Sequence, residues 1–477
     1  MIVSVNVINK RGRDPVVRLD HFDIPRVLKT SLKNGGDFAD IFCEQRHPTS
    51  IICEDGKIEK IISGIDVGAG LRTICNNKTA YAFTNRMTNG GLLEMADAVS
   101  CASQGALFEH DINLTRKEPE VNHAITRLPH DVSLDEKVAL VKRADHVARS
   151  FDKRIKQVKV IYRDAIRQVA IANTKGELVY DRRVGTLFIV QVIAVEDDRI
   201  QTGYEPRGAF RGFELLQEHP PEQIAEIASR RALMMLAARR VPGGRMPVVL
   251  SSEAGGTMIH EAIGHGLEAD LAQMGLSVFS HRIGETVASP LVTVVDDATL
   301  LNQRGSYAFD DEGVRAQRTT LVEKGVLKGY LYDYLTAMKD HTVSTGNGRR
   351  ESYQSRPLPR MSNTFIAPGQ MNPADVLHAT REGLFVKKMG GGQVNTVNGD
   401  FVFEVTEGYL IEGGACGEPV RGATLTGNGP KVLMAIDMVG NDIGFGIGTC
   451  GKEGQGVPVA DAQPTLRIPE IIVGGAV

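Results

Sequence analysis

Tryptophan is absent from the 477 residues, and aromatic side chains make up only 5% of them. A surface that stacks single-stranded bases needs such rings, so this composition argues against one. Cysteine is scarce too. Cys43, Cys53, Cys75, Cys101, Cys416 and Cys450 include no C-x-x-C pair, which excludes a disulfide framework and points to a reducing, cytoplasmic compartment. Neither sign of charge dominates: 55 basic residues face 58 acidic ones, for a net charge of −3. Nothing in that balance attracts nucleic acid or an anionic membrane. Long hydrophobic runs are missing as well. The most apolar stretch, residues 187–195, contains Gln191 and falls far short of a membrane span. Residues 1–8 are apolar but short and interrupted, and read as a strand, not a signal peptide. No phosphate-binding G-x-x-x-x-G-K-[ST] or placed G-x-G-x-x-G occurs, so a nucleotide enzyme has no support.

What the chain does contain is length and glycine, with 51 glycines that cluster in the second half. Its length exceeds one ordinary core. The patterns predict an N-terminal α+β domain over residues 1–240, with a sub-boundary near 117–130, and a C-terminal domain over 241–477. Helical spacing at Ile24, Val27 and Leu28 stops at Asn34-Gly35-Gly36. β-rich runs follow to about residue 83, with hairpin turns at Asp55-Gly56 and Asn76-Asn77. A helix near 91–103 and the aperiodic stretch 117–128 come next. Ser133 and Glu136 then read as a capping box heading another helix, with strands after it. Pro220-Pro221 opens a helix over 222–240, whose pairs Arg230-Arg231 and Arg239-Arg240 read as a solvated face. The fold class is α+β: two helix-plus-antiparallel-sheet units, then a mainly β C-terminal domain that carries one metal-binding helix.

That helix contains His260-Glu261-Ala262-Ile263-Gly264-His265. A zinc peptidase needs imidazoles to hold the metal and a nearby carboxylate to take a proton from water. In the familiar H-E-x-x-H form the histidines share a face at i and i+4. Here the spacing is i and i+5, which separates the side chains by about 140° on a regular helix. The pattern therefore predicts a π-bulge or a break between His260 and His265, eased by Gly264 and Gly266. Catalytic zinc usually has three protein ligands. Candidates for the third are Cys450, His281, Glu268, Asp270 and the pair Asp296-Asp297. Cys450 is the best chemical choice, in a glycine-rich segment where Lys452 could lower its pKa.

Two other loops carry candidate binding groups. Residues 345–353 concentrate donors, among them Arg349 and Arg350, that could clamp a peptide carboxylate or an oxyanion. A structural turn with solvated arginines is the alternative. Gly391 and Gly392 precede an alternating stretch that could offer a strand edge to an extended peptide, or be a plain hairpin turn. Asp310-Asp311-Glu312-Gly313 lacks the ligand spacing of a calcium loop and reads as a turn.

Together, residues 258–270 (MIHEAIGHGLEAD), 310–313 (DDEG), 344–353 (STGNGRRESY), 390–394 (GGGQV) and 448–455 (GTCGKEGQ) resemble the TldD/PmbA family, on its TldD side. The resemblance implies a metalloprotease that acts on unfolded or flexible peptides. It also implies a heterodimer with a PmbA-like chain, with a homodimer as the other assembly. It implies zinc held by His260, His265 and Cys450, with Glu261 as the catalytic acid/base. PmbA-like chains lack the H-E-x-x-x-H motif, which assigns this chain to the catalytic side. Residues 460–462 depart from the family's pattern, which puts no ligand in doubt but bears on the rim of the site. The rival reading is a non-enzymatic peptide-binding or regulatory protein with a structural zinc, in line with the family's older association with DNA gyrase modulation.

Overall fold

The strand Phe38–Glu54 shows how the first half is built. Ala39, Ile41, Cys43, Ile51 and Cys53 are buried beneath helices, while Asp40, Phe42 and Glu44 are buried on the opposite face. A period of two with both faces covered belongs to a strand between two layers. The computed structural model describes residues 18–107 and 111–475, so the strand expected at residues 1–8 lies outside them. Phe38–Glu54 pairs antiparallel with Asp66–Cys75 on one side and Ile155–Asn173 on the other. The resulting eight-stranded sheet also takes Lys57–Ser63, Lys78–Thr84, Thr115–Lys117, Glu177–Glu196 and Arg199–Ala209. The two units expected from the sequence are thus halves of one sheet. Helices Ile24–Ser31 and Asn89–Cys101 cover one half, and Leu134–Phe151 and Pro221–Ala237 cover the other.

Local chemistry explains the joints. Asp55 and Gly56 have φ of 53° and 76°, and Asn76 and Asn77 have 50° and 59°. These left-handed pairs suit tight hairpin turns, and Asp, Asn and Gly tolerate them best. Half of the expected capping box is present: Ser133 Oγ accepts from the Glu136 N–H at 3.2 Å, while the Glu136 carboxylate takes Arg127 at 3.0 Å. The helix at Pro221 ends at Ala237, and Arg239–Arg240 is a short strand, not a helix face. Arg231 is buried, not solvated, and bridges Glu205 and Glu407 at 2.8 Å each. It thereby ties this helix and the first sheet to the C-terminal region.

The second half is mainly β. Gly244–Leu250, Leu466–Gly474, Thr424–Asn428, Asp400–Glu412 and Glu382–Val394 pair in a closed ring. The ladder from Gly244–Leu250 to Glu382–Val394 ends at Val386. Residues 388–394 therefore pair on one side only among the described residues. A six-stranded sheet beside the ring runs in the order Val326–Leu327, Arg318–Glu323, Val294–Asp297, Asn363–Ile366, Gln455–Gln463, Gly444–Lys452. The last of these strands lies at the sheet edge. No helix among the described residues is long and apolar enough to cross a membrane.

Candidate metal centre

The helix begun at Thr257–Ile259 widens into a π turn over His260–Gly264 and closes as a 3-10 turn over His265–Leu267. The His265 N–H bonds the His260 carbonyl, the i+5 contact that the motif spacing requires. This brings together, edge to face, two side chains that a regular helix would splay, with ring centroids 5.0 Å apart and planes at 89°. Ile259, Ile263 and Leu267 anchor the turn in the C-terminal core. Gly264 leaves space for buried Met361, whose Sδ a Cβ at that position would overlap.

Cys450 comes to the same point from the edge strand Gly444–Lys452. One ligand atom from each of His260, His265 and Cys450 lies within 4.8 Å of the others. Cys450 Sγ is 3.5 Å from His265 Nε2. Among the described residues this is the one cluster of His, Cys, Asp or Glu with metal-binding spacing. Two imidazole nitrogens and a thiolate, mostly buried, make a donor set suited to zinc.

Electrostatics support the thiolate. Burial acts to raise the Cys450 thiol, but His260 and His265 outweigh it and bring it down to about 5. Burial likewise pushes both imidazoles down. Cys450 lifts His260 above the usual histidine range, and Glu268 with Cys450 holds His265 well above it. Without a metal, the protons favour a thiolate beside imidazolium, and a bound cation would displace them. Glu261 is half-buried beside the cluster. Burial raises its carboxyl, opposed by the two histidines, which suits a group that must hold and release a proton.

The other candidates for the third ligand are placed elsewhere. His281 is exposed on a turn with φ of 59°. Asp296 accepts from Asn347, Ser362 and Thr364 and is saturated by them, and Asp297 accepts from Thr299. Asp270 binds Lys452 at 2.7 Å. Glu268 is not in the cluster but stands behind it, with Oε2 3.0 Å from His265 Nδ1. Lys452 is turned onto Glu268 and Asp270, so the cause expected for the depressed thiol is corrected: the histidines supply it. Asp461, in the segment that departs from the family pattern, is buried with Oδ2 3.8 Å from His260 Nδ1. Its place beneath a histidine, not on a rim, was invisible in a strand sequence.

Arg349 and Arg350 are also corrected, being neither solvated nor offered to a ligand. Both are buried. Arg349 donates to the carbonyls of Met361 and Pro458, and Arg350 to that of Asp311. Arg350 also lies on the Phe42 ring at 4.5 Å. The 345–353 loop, together with the buried turn at Asp310, fastens the first sheet to the C-terminal region: Asp311 pairs with Arg183 at 2.8 Å and Tyr81 Oη donates to the Tyr353 carbonyl at 2.6 Å. Gly391 is exposed with open space where a Cβ would be, while Gly392 packs on Phe403. Both lie in residues 388–394, on a strand that also borders the histidine turn.

Family models for the PmbA/TldA metallopeptidase match three consecutive stretches: domain 1 over residues 39–102, the central domain over 127–236 and the C-terminal domain over 243–475. The chain belongs to the TldD/PmbA metallopeptidase family. A Metalloprotease TldD homolog of Haemophilus influenzae is 38% identical over 450 residues, covering 92% of this chain and 93% of that protein. The fold matches a candidate modulator of a DNA gyrase from Thermotoga maritima with a TM-score of 0.78 at 23% identity, over 94% of this chain and 99% of that one. It also matches TldE from Thermococcus kodakarensis, with a TM-score of 0.73 at 16% identity over 95% and 100%. At those identities the structures speak for the TldD/PmbA fold alone.

Proposed function

We propose that this TldD-like chain is a zinc-dependent peptidase for unfolded or flexible peptides, with His260, His265 and Cys450 as metal ligands and Glu261 as general base. The observation that carries the reading is the π turn, which gathers His260 and His265 with Cys450 while holding Glu261 next in sequence to the first ligand. A zinc ion bound there supplies Lewis acidity toward a peptide carbonyl and toward water. The Glu261 carboxylate accepts a proton from the attacking water and delivers it to the leaving amine. Residues 388–394, with Gly391 and Gly392, offer an edge that is unpaired among the described residues and on which an extended peptide can add as a strand. The edge of the Cys450 strand is a poorer receptor, because Arg304 and Arg360 already donate to its carbonyls at Gly448 and Cys450.

The cluster offers three protein donors among the described residues, whereas structural zinc is closed by four. That favours catalysis over a regulatory protein with a structural metal. The same reading divides the chain near residue 240 into an N-terminal α+β domain and a C-terminal catalytic domain, in keeping with the gap between matches at 236 and 243. It gives the chain a PmbA-like partner of the same fold, and a cytoplasmic setting in which exposed Cys101 and Cys416 stay free thiols.

The test is Glu261→Gln, which keeps size and reach but cannot take the proton. Fold and zinc content should persist, while peptide hydrolysis, assayed with the partner chain present, falls by about 10²-fold or more. Loss of zinc would make Glu261 a ligand. Full activity with zinc retained would place the base elsewhere.

A further inference from the structure

Glu268 begins the segment after the histidine turn and is fully buried. Its Oε2 accepts from His265 Nδ1 at 3.0 Å, which leaves Nε2, the nitrogen facing Cys450, as the donor to a metal. The same oxygen accepts from Lys452 Nζ at 3.1 Å. Lys452 lies two residues beyond Cys450 on the same strand, and its Nζ also reaches Asp270 at 2.7 Å and the Pro359 carbonyl at 3.1 Å. The other oxygen, Oε1, faces Arg360 Nε at 4.0 Å, and Arg360 Nη2 donates to the Cys450 carbonyl at 2.6 Å. One carboxylate therefore meets one ligand directly and both cations that hold the strand of another.

We propose that Glu268 is the positioning residue of the metal centre: it orients His265 and ties the histidine turn to the Cys450 strand. His260 has no equal support. Its Nδ1 is 3.8 Å from Asp461 Oδ2, beyond hydrogen-bond reach, and Asp461 Oδ1 serves the Gly256 N–H at 3.0 Å. The two carboxylates behind the two imidazoles are thus unequal, and the proposal ranks them.

The experiment measures zinc affinity by chelator competition, and the absorption of the cobalt-substituted protein, in wild type, Glu268→Gln, Asp461→Asn and Lys452→Met. Glu268→Gln is close to isosteric, and in it Lys452 keeps Asp270 while Arg360 keeps the Cys450 carbonyl. It should weaken zinc binding by about 10- to 100-fold, the range for residues that orient ligands, and shift the thiolate-to-cobalt band. Asp461→Asn should cost less. Wild-type affinity and spectrum in Glu268→Gln, or an equal loss in Asp461→Asn, would overturn the proposal. Should Glu268→Gln fail to fold, Lys452→Met decides: reduced affinity supports the tie, and unchanged affinity overturns it. The inference rests on the metal reading above, and the two fail differently. A wild type without a thiolate–cobalt band sinks that reading, whereas a wild type with the band and a silent Glu268→Gln sinks only this one.

Discussion

Replacing Gly256 by alanine should move the first histidine without touching it. The Gly256 carbonyl accepts from the His260 N–H at 2.8 Å, and its own N–H donates to Asp461 Oδ1 at 3.0 Å. Its φ of −102° and ψ of 19° suit alanine, so backbone conformation is not the obstacle. Space is. A Cβ there would lie 2.5 Å from the Asp461 carbonyl carbon and closer still to the Ala462 nitrogen, where ordinary contact begins at 3.4 Å. The struck atoms are backbone of Gln455–Gln463, a strand paired on both sides, so they cannot swing away. The histidine turn must instead back off by about 1 Å, at the overpacking cost of about 1–3 kcal/mol. That corresponds to a melting-temperature drop on the order of 5 °C for a domain of this size. Metal ligands tolerate about 0.2 Å, so zinc retention should fall further than stability does. Gly264→Ala gives the contrast, since its Cβ would strike the flexible Met361 side chain and should destabilise less. Differential scanning calorimetry with metal analysis on both variants decides the matter. A Gly256→Ala protein with wild-type melting and full zinc would refute the reasoning.

Cys450→Ser should lose zinc under dialysis against a weak chelator, while Cys416→Ser, on an exposed strand, keeps it; equal metal content in both would assign the third ligand elsewhere. Arg231→Met should strip Glu205 and Glu407 of their shared cation and leave them Arg207 and Lys387, at a cost of about 1.5–3 kcal/mol read from urea unfolding. Changing both glutamates to glutamine in that background should recover most of the loss, and no recovery would show that the arginine acts through its packing instead.

Much of this architecture was legible because its causes are local. Asp55-Gly56 and Asn76-Asn77 announce left-handed turns by residue type alone, and a histidine pair at i and i+5 can share a metal only if the helix widens. Cys450 was chemically preferable to its rivals before any distance was known. What the sequence hid was long-range pairing. Nothing local in Phe38–Glu54 says that its second edge will meet Ile155–Asn173 and fuse two units into one sheet. Arg231 looked solvated, and Arg349 and Arg350 looked open to a ligand or to solvent, because arginine is usually exposed. Their burial depends on carbonyls and carboxylates far away in the sequence, as with Arg231 and Glu407, 176 residues apart. Glu268 did carry a signal, since a residue three beyond His265 can fold back on it, but its position suggested a ligand and its bond to Nδ1 makes it a support instead.

The separation of 185 positions from His265 to Cys450 also sets an order of events in the cell. At translation rates of 5–20 residues per second, the thiol leaves the ribosome about 10–40 s after the second histidine. Through that interval the nascent chain presents two imidazoles alone, a pair that many first-row cations would take and that copper would take most tightly. Cys450 reaches them only when its edge strand pairs with Gln455–Gln463, which is made later still. On the proposed ligand set, the choice of ion therefore falls to the finished protein, in which a soft donor joins the two imidazoles.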